Sequence, residues 1–305
     1  FSLNPFQARP RLYGDDNVAK YANASQEELD GLPAHVYNFG KKVFFDMLNV
    51  HSSSAPEMLN QTIICSGESG SGKTENAKYV SNLIVKASQQ YLASTATMHD
   101  QEQVSVEAKA RAGSLEEILR YSNTAFESFG NAKTLLNDNA SRFGKYMKLQ
   151  YTKKHQLVSI YTETFFLEKS RLTQVIEGER NYHIFYQLFR GMGSAYPELK
   201  QSLRLYAVDD FKMLTSGNCL TMKNVHQDVT GFHETVKALK ALGSSEEELR
   251  ALWTLIAVML HLGNAVVVPP SASANSDADE SGLDEAADMD CPCTTATCES
   301  RGMGE

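Results

Sequence analysis

Apolar positions recur every three or four residues along much of this chain. Between Pro33 and Leu48, the positions Val36, Phe39, Gly40, Val43, Phe44 and Met47 form one stripe, which predicts a helix. Beyond Thr74, Ala77, Val80, Ile84, Ala87 and Tyr91 repeat the spacing and predict an amphipathic helix. The clearest stripe runs from Glu246 to Leu262, with Leu249, Leu252, Trp253, Ile256 and Leu260 on one face. Tyr146–Tyr151 alternates and Leu157–Phe166 is rich in β-branched and aromatic residues, so two strands are expected, joined by a turn over Lys153–Gln156. The short, mostly apolar run Gln61-Thr62-Ile63-Ile64-Cys65 suits a buried parallel strand. Residues 88–114 are polar and poor in large apolar groups, which predicts a long surface loop. Ser114, with Glu117 three residues on, is then expected to cap a new helix. Ser52–Pro56 is expected to separate the first stripe from a short helix ahead of Gln61, and Asn181–Gly263 reads as mostly helical.

Composition changes this picture mainly at the C-terminal end. The 305 residues, 42% hydrophobic, suffice for a globular core, and no run approaches the roughly 18 apolar residues of a membrane helix. The net charge of −8 belongs to the stretch Ser271–Glu305, which holds nine acidic residues and one arginine. The remaining 28 basic and 28 acidic side chains balance, so no basic field argues for nucleic acid. Residues 269–305 lose aromatic residues to Ser, Ala, Asp and Glu, the composition of a disordered acidic tail. The five cysteines, Cys65, Cys219, Cys291, Cys293 and Cys298, fit neither a disulfide framework nor a zinc spacing, which favours a reducing, cytoplasmic setting. Phe1-Ser2-Leu3 carries neither a start methionine nor a signal-peptide pattern, and is expected to lie within a longer protein.

The chemistry enters at Gly67-Glu68-Ser69-Gly70-Ser71-Gly72-Lys73-Thr74, which reads G-x-x-x-x-G-K-[ST]. Glycines let backbone N–H groups curl around a phosphate chain where a Cβ would intrude. Lys73 supplies a mobile positive charge and the Thr74 hydroxyl a ligand for Mg²⁺. The predicted strand before the loop and helix after it point a helix N-terminus at the anion.

A second polar segment, Asn137-Asp138-Asn139-Ala140-Ser141-Arg142-Phe143-Gly144-Lys145, follows Phe129-Gly130-Asn131-Ala132-Lys133-Thr134. Taken alone it reads as a surface turn. It resembles switch I of myosin motor domains, N-x-N-S-S-R-F-G-K, and Gly67–Asn76 resembles the myosin form G-E-S-G-A-G-K-T-E-N. Leu167-Glu168-Lys169-Ser170-Arg171, Arg180-Asn181-Tyr182-His183-Ile184-Phe185-Tyr186, Leu260-His261-Leu262-Gly263-Asn264 and Asn4-Pro5-Phe6 with Tyr13 match further signatures in order. The resemblance covers about residues 1–266. It implies an α/β phosphate-loop NTPase of the myosin/kinesin type, with an incomplete central sheet surrounded by helices and a partial motor domain over 1–268. The bound groups implied are ATP and Mg²⁺. The implied partners are actin filaments and, for a parent protein, light chains, in a cytoskeletal location.

The resemblance also implies roles for individual residues. Gly67, Glu68, Ser69, Gly70, Ser71, Gly72 and Lys73 would cradle the β- and γ-phosphates. Thr74 and Ser141 would hold Mg²⁺. Asn137 would touch phosphates, and Asn139 would help close switch I. Arg142 would pair with a switch II glutamate, and Asn4, Pro5, Tyr13 and Glu75 would lie by the adenine. Ala140 departs from the pattern, since the family has a serine hydroxyl there. Asp228-Val229-Thr230-Gly231-Phe232 imitates switch II, D-x-x-G-F-E, but His233 follows it and Val236, Leu239 and Leu242 continue a helical stripe, so a helix start is expected. With no counterpart of switch II before the acidic tail, Arg142 is expected to lack its partner, and the 305 residues alone to show no actin-activated ATP turnover. Two readings follow: a piece of an actin-based motor ATPase, or a non-motor nucleotide-binding protein that does not cycle. The N-x-N-x-S-R-F-G-K segment argues against a kinase or kinesin-like enzyme.

Overall fold

The apolar stripes become helices that pack on one another through their predicted faces. In a computed structural model, residues 4–5, 7, 9–49, 60–95, 101–153, 155–224, 226–265, 267–268 and 282–283 are described, with backbone alone at 49, 101–113 and the last two pairs. Three short helices, α1 (Pro10–Tyr13), α2 (Asp15–Asn23) and α3 (Gln26–Gly31), precede α4 (Val36–Asn49). Long helices α5 (Lys73–Thr95) and α6 (Gln101–Gly130) follow, then short strands β1 (Asn131–Ala132) and β2 (Ala140–Ser141). The antiparallel hairpin β3 (Gly144–Tyr151) and β4 (Leu157–Phe165) leads to α7 (His183–Ala195), α8 (Pro197–Ser202), α9 (Lys212–Thr215), α10 (His226–Ala241) and α11 (Glu246–Leu262). A last ladder pairs β5 (Val267–Val268) with β6 (Gly282–Leu283), so one of its two strands lies within the stretch expected to be a disordered tail; the rest of 269–305 lies outside the described residues.

Two cores result. In the first, α2, α4 and α5 bury Val18, Tyr21, Tyr37, Phe44, Val80, Leu83 and Ala87. A Cβ at Gly40 would sit 3.1 Å from Leu83 and 3.3 Å from Val80, which is how α4 and α5 come so close. The second core gathers Tyr186, Leu188, Met192, Phe232 and Trp253 from α7, α10 and α11, all without measurable exposure. Each such side chain contributes roughly 2–3 kcal/mol by leaving water. Ser245 caps α11 in a reciprocal pair with Glu248.

Three expectations change. Residues 88–114 are not a loop where described: α5 runs on to Thr95 and α6 already begins at Gln101, so Ser114 sits inside a helix and caps nothing. Ala87 and Ser88 are buried in α5, and Ala108, Ala110 and Ala112 are strong helix formers that a count of large apolar groups overlooks. Gln61–Cys65 forms no strand; no described strand pairs with it, and Ile64 is 83% exposed. The described sheets are three separate two-stranded pieces, all antiparallel, and the short helix expected before Gln61 lies outside the described residues. Asp228-Val229-Thr230-Gly231-Phe232, by contrast, lies in α10 as expected. There the buried Asp228 takes Arg180 Nη2 on both oxygens, at 3.1 and 3.0 Å, while the guanidinium stacks 3.6 Å from the Tyr186 ring.

Candidate functional site

The glycine loop adopts the backbone that its sequence requires. Gly67, Gly70 and Gly72 have φ of 153°, 77° and 91°, values that side chains disfavour, and Lys73 opens α5 directly afterwards. Glu68 and Ser69 are exposed, and Ser71 closes the turn by donating its N–H to the Glu68 carbonyl at 3.2 Å. Lys73 folds back over the loop, and its Nζ donates to the carbonyls of Gly67 and Glu68, each at 2.6 Å. The Asn4 side chain donates to the Gly70 carbonyl at 2.6 Å and lies against Gly72, which brings the chain's start onto the loop.

The 137–145 segment is pinned to the end of α6 and to the start of α7. Asn131 and Ala132 pair with Ser141 and Ala140, and Ala132 also bridges Tyr182. A Cβ at Gly130 would overlap the Phe143 ring, so α6 ends against the segment itself. Thr134 holds the Asn137 carbonyl with both its N–H and its hydroxyl. The Asn137 side-chain oxygen accepts from the Asn139 N–H at 2.9 Å, closing a local turn.

These two segments meet at Thr74 and Ser141, whose hydroxyl oxygens are 3.3 Å apart. Asn4 joins them through Gly70, whereas Pro5 is exposed and Glu75 points to Lys78 at 2.8 Å. Tyr13 stacks on Tyr79, centroids 4.1 Å apart and planes 8° from parallel. Alongside, a cleft of about 850 Å³ runs between α2, α5 and α6, lined among others by Asp15, Lys78, Tyr79, Lys86, Asn123 and Glu127.

Arg142 pairs with a carboxylate other than the switch II glutamate it was expected to lack: its Nε donates to Glu168 Oε2 at 2.5 Å, and the two backbones are joined by Glu168 N–H to the Arg142 carbonyl. Arg171 reaches the same carboxylate at 2.8 Å and Glu179 at 2.9 Å. Burial opposes ionisation of Glu168, but the two guanidiniums hold its carboxyl below the usual range. The expectation overlooked this because the partner lies 26 residues away, in a segment recognised only as a signature.

Sequence reasoning also missed the groups around Asn139. Its Oδ1 lies 3.0 Å from Asn131 Nδ2 and 3.1 Å from His183 Nε2, and its Nδ2 lies 3.2 Å from Glu127 Oε2. Burial, then the nearby Arg180 charge, lowers the His183 pKa to about 4, so the ring is neutral at pH 7. Lys78 pairs with Glu127 and Glu75; burial works against its charge, yet these carboxylates raise its pKa. The signals Phe129–Thr134 and Arg180–Tyr186 marked Asn131 and His183 without a role, and nothing marked Glu127.

Comparison with known proteins identifies the family. The family model for the myosin head (motor domain) matches residues 1–297. The chain is 34% identical over 266 residues to myosin-52 of Schizosaccharomyces pombe, covering 87% of this chain and 16% of that protein. It is 34% identical over 283 residues to the myosin IC heavy chain of Dictyostelium discoideum, covering 93% of this chain and 22% of that one. For myosin-1 of Arabidopsis thaliana the identity is 36% over 263 residues, covering 86% and 19%. The chain thus spans about a fifth of the length of these relatives.

Proposed function

The chain belongs to the myosin head (motor domain) family, a family of actin-based motors, and from that premise we propose that it carries the phosphate-binding part of a Mg-ATP site. The observation that carries this reading is the pair Thr74–Ser141, two hydroxyl oxygens 3.3 Å apart beside the glycine loop. Around Mg²⁺, octahedral bonds of about 2.1 Å put neighbouring oxygen ligands about 3 Å apart, so this pair fits two positions of one ion. The ion would supply neutralisation of charge on the transferred phosphate.

The residues of this chain divide the remaining work. The backbone of Gly67–Gly72 receives the β- and γ-phosphates, and Lys73 exchanges the Gly67 and Glu68 carbonyls for phosphate oxygens. Asn137 contacts the phosphates and Asn139 orders the loop that covers them. Arg142, held by Glu168, closes the site by pairing with a second carboxylate. Asn4, Pro5, Tyr13 and Glu75 form the adenine side, where the base packs against the outer edge of the Tyr13–Tyr79 stack. Such a site works by positioning and charge, as an α/β phosphate-loop NTPase does. Hydrolysis, movement along actin and any light chains belong to the parent protein in this proposal.

Lys73→Ala is expected to abolish ATP binding in a fluorescent-nucleotide titration; unchanged affinity would overturn the assignment. The 305-residue chain is expected to release no extra phosphate when actin is added. One observation favours a binding module that does not cycle: Ala140, buried at 2% exposure, offers no hydroxyl beside the site. Single-turnover hydrolysis separates the two readings. A rise on Ala140→Ser supports the slow motor, whereas zero turnover with intact binding in both proteins supports the module.

A further inference from the structure

Thr74 and Lys78 are four residues apart on α5, one turn along the same face. Each touches the same short loop by a different route. Thr74 meets Ser141 directly. Lys78 meets Glu127 Oε1 on α6, and Glu127 Oε2 meets the Asn139 amide, two residues before Ser141. The contacts therefore form a closed ring: α5, Glu127, Asn139, Ser141 and back to α5.

The chemistry of the ring fixes its hydrogen-bond directions. A carboxylate only accepts, so Asn139 Nδ2 donates to Glu127, and Asn139 Oδ1 must accept. Asn131 Nδ2 is one donor to that oxygen. The neutral His183 must be the other, which places its proton on Nε2. Every polar atom of the exposed Asn139 side chain is thus committed to a fixed neighbour, and its N–H is committed to Asn137.

We propose that Glu127 is a positioning residue, the bridge through which the α5 helix sets Ser141 beside Thr74, with His183 and Asn131 holding the far side of Asn139. Its functional meaning rests on the Mg-ATP reading given above; its structural meaning does not. Both Lys78 and Glu127 also line the cleft between α2, α5 and α6.

The test uses the intact chain with Lys78→Met, Glu127→Ala and Lys78→Arg. Amide hydrogen exchange without nucleotide is expected to quicken about tenfold over 137–141 in the first two, the change for one lost charge-assisted hydrogen bond, and to remain as in wild type in Lys78→Arg. Exchange over α7 to α11 is expected to stay as it was. In parallel, the first two variants are expected to need about tenfold more Mg²⁺ to bind ATP, while ATP binding in EDTA is unchanged. Unchanged exchange over 137–141, or an equal rise across the chain, overturns the bridge. If wild type binds no nucleotide, the Mg-ATP reading fails while the exchange result still decides the bridge.

Discussion

The helices from His183 to Leu262 and the approach to the glycine loop, residues 60–72, stand at opposite extremes. The first region encloses Tyr186, Leu188, Phe232 and Trp253 completely. The second leaves Ile64 83% exposed and Gln61–Cys65 without a strand partner among the described residues. Local periodicity is enough to build the first, because every helix finds its partner within about 80 residues of chain. Extended segments obtain their hydrogen bonds from other segments, so the second has no equivalent local source of order. The candidate site lies between the two extremes: the short β1–β2 ladder and polar contacts to α6 and α7 hold it.

Mutations sharpen this contrast. The largest effect is expected from Trp253→Ala, which opens a cavity in the helical core and lowers unfolding free energy by about 3–5 kcal/mol in denaturant titration. A loss under 1 kcal/mol would mean that this core is not the stable half. Next comes pH. His183 titrates at about 4 inside the fold against about 6.5 unfolded, so unfolding takes up a proton between those values. Stability is then complete above about pH 6.5 and falls by about 3 kcal/mol as pH drops through 4, a slope that His183→Gln is expected to remove. Equal slopes in both proteins would show that burial of His183 does not carry this pH dependence. Gly70→Ala, at φ 77° with open space around the new methyl, is expected to cost about 1 kcal/mol through backbone strain alone. The smallest change belongs to the exposed approach: Ile64→Ala is expected to stay within about 0.5 kcal/mol, and a larger loss would show that Ile64 is covered in solution.

The same contrast governs what could be read in advance. The hairpin, α4, α5, α10 and α11 were legible because each declares itself within a dozen or so residues, and Asp228 was correctly set apart from a switch by the stripe that follows it. The glycine backbone at 67, 70 and 72 was legible for the same local reason. The helices over 88–95 and 101–114 were hidden by polar and alanine-rich composition, which lowers hydrophobicity without lowering helix propensity. The strand expected at Gln61–Cys65 depended on pairing, which no local pattern encodes. Glu127 was invisible because one glutamate on a helix is ordinarily a solvated charge; only the approach of Lys78 and Asn139 gives it a role.

Glu168 stands between two guanidiniums, and this sets how freely Arg142 can leave it. When Arg142 departs, Glu168 keeps Arg171, and Arg171 keeps Glu179, so no member of the buried chain is left as a lone ion. The Glu168 side chain is itself 31% exposed, so splitting its pair with Arg142 does not carry the full penalty of a buried one. Arg142 itself already has 27% of its side chain in solvent. If Arg142 leaves for a second carboxylate as proposed, Glu168 retains a counter-ion in Arg171.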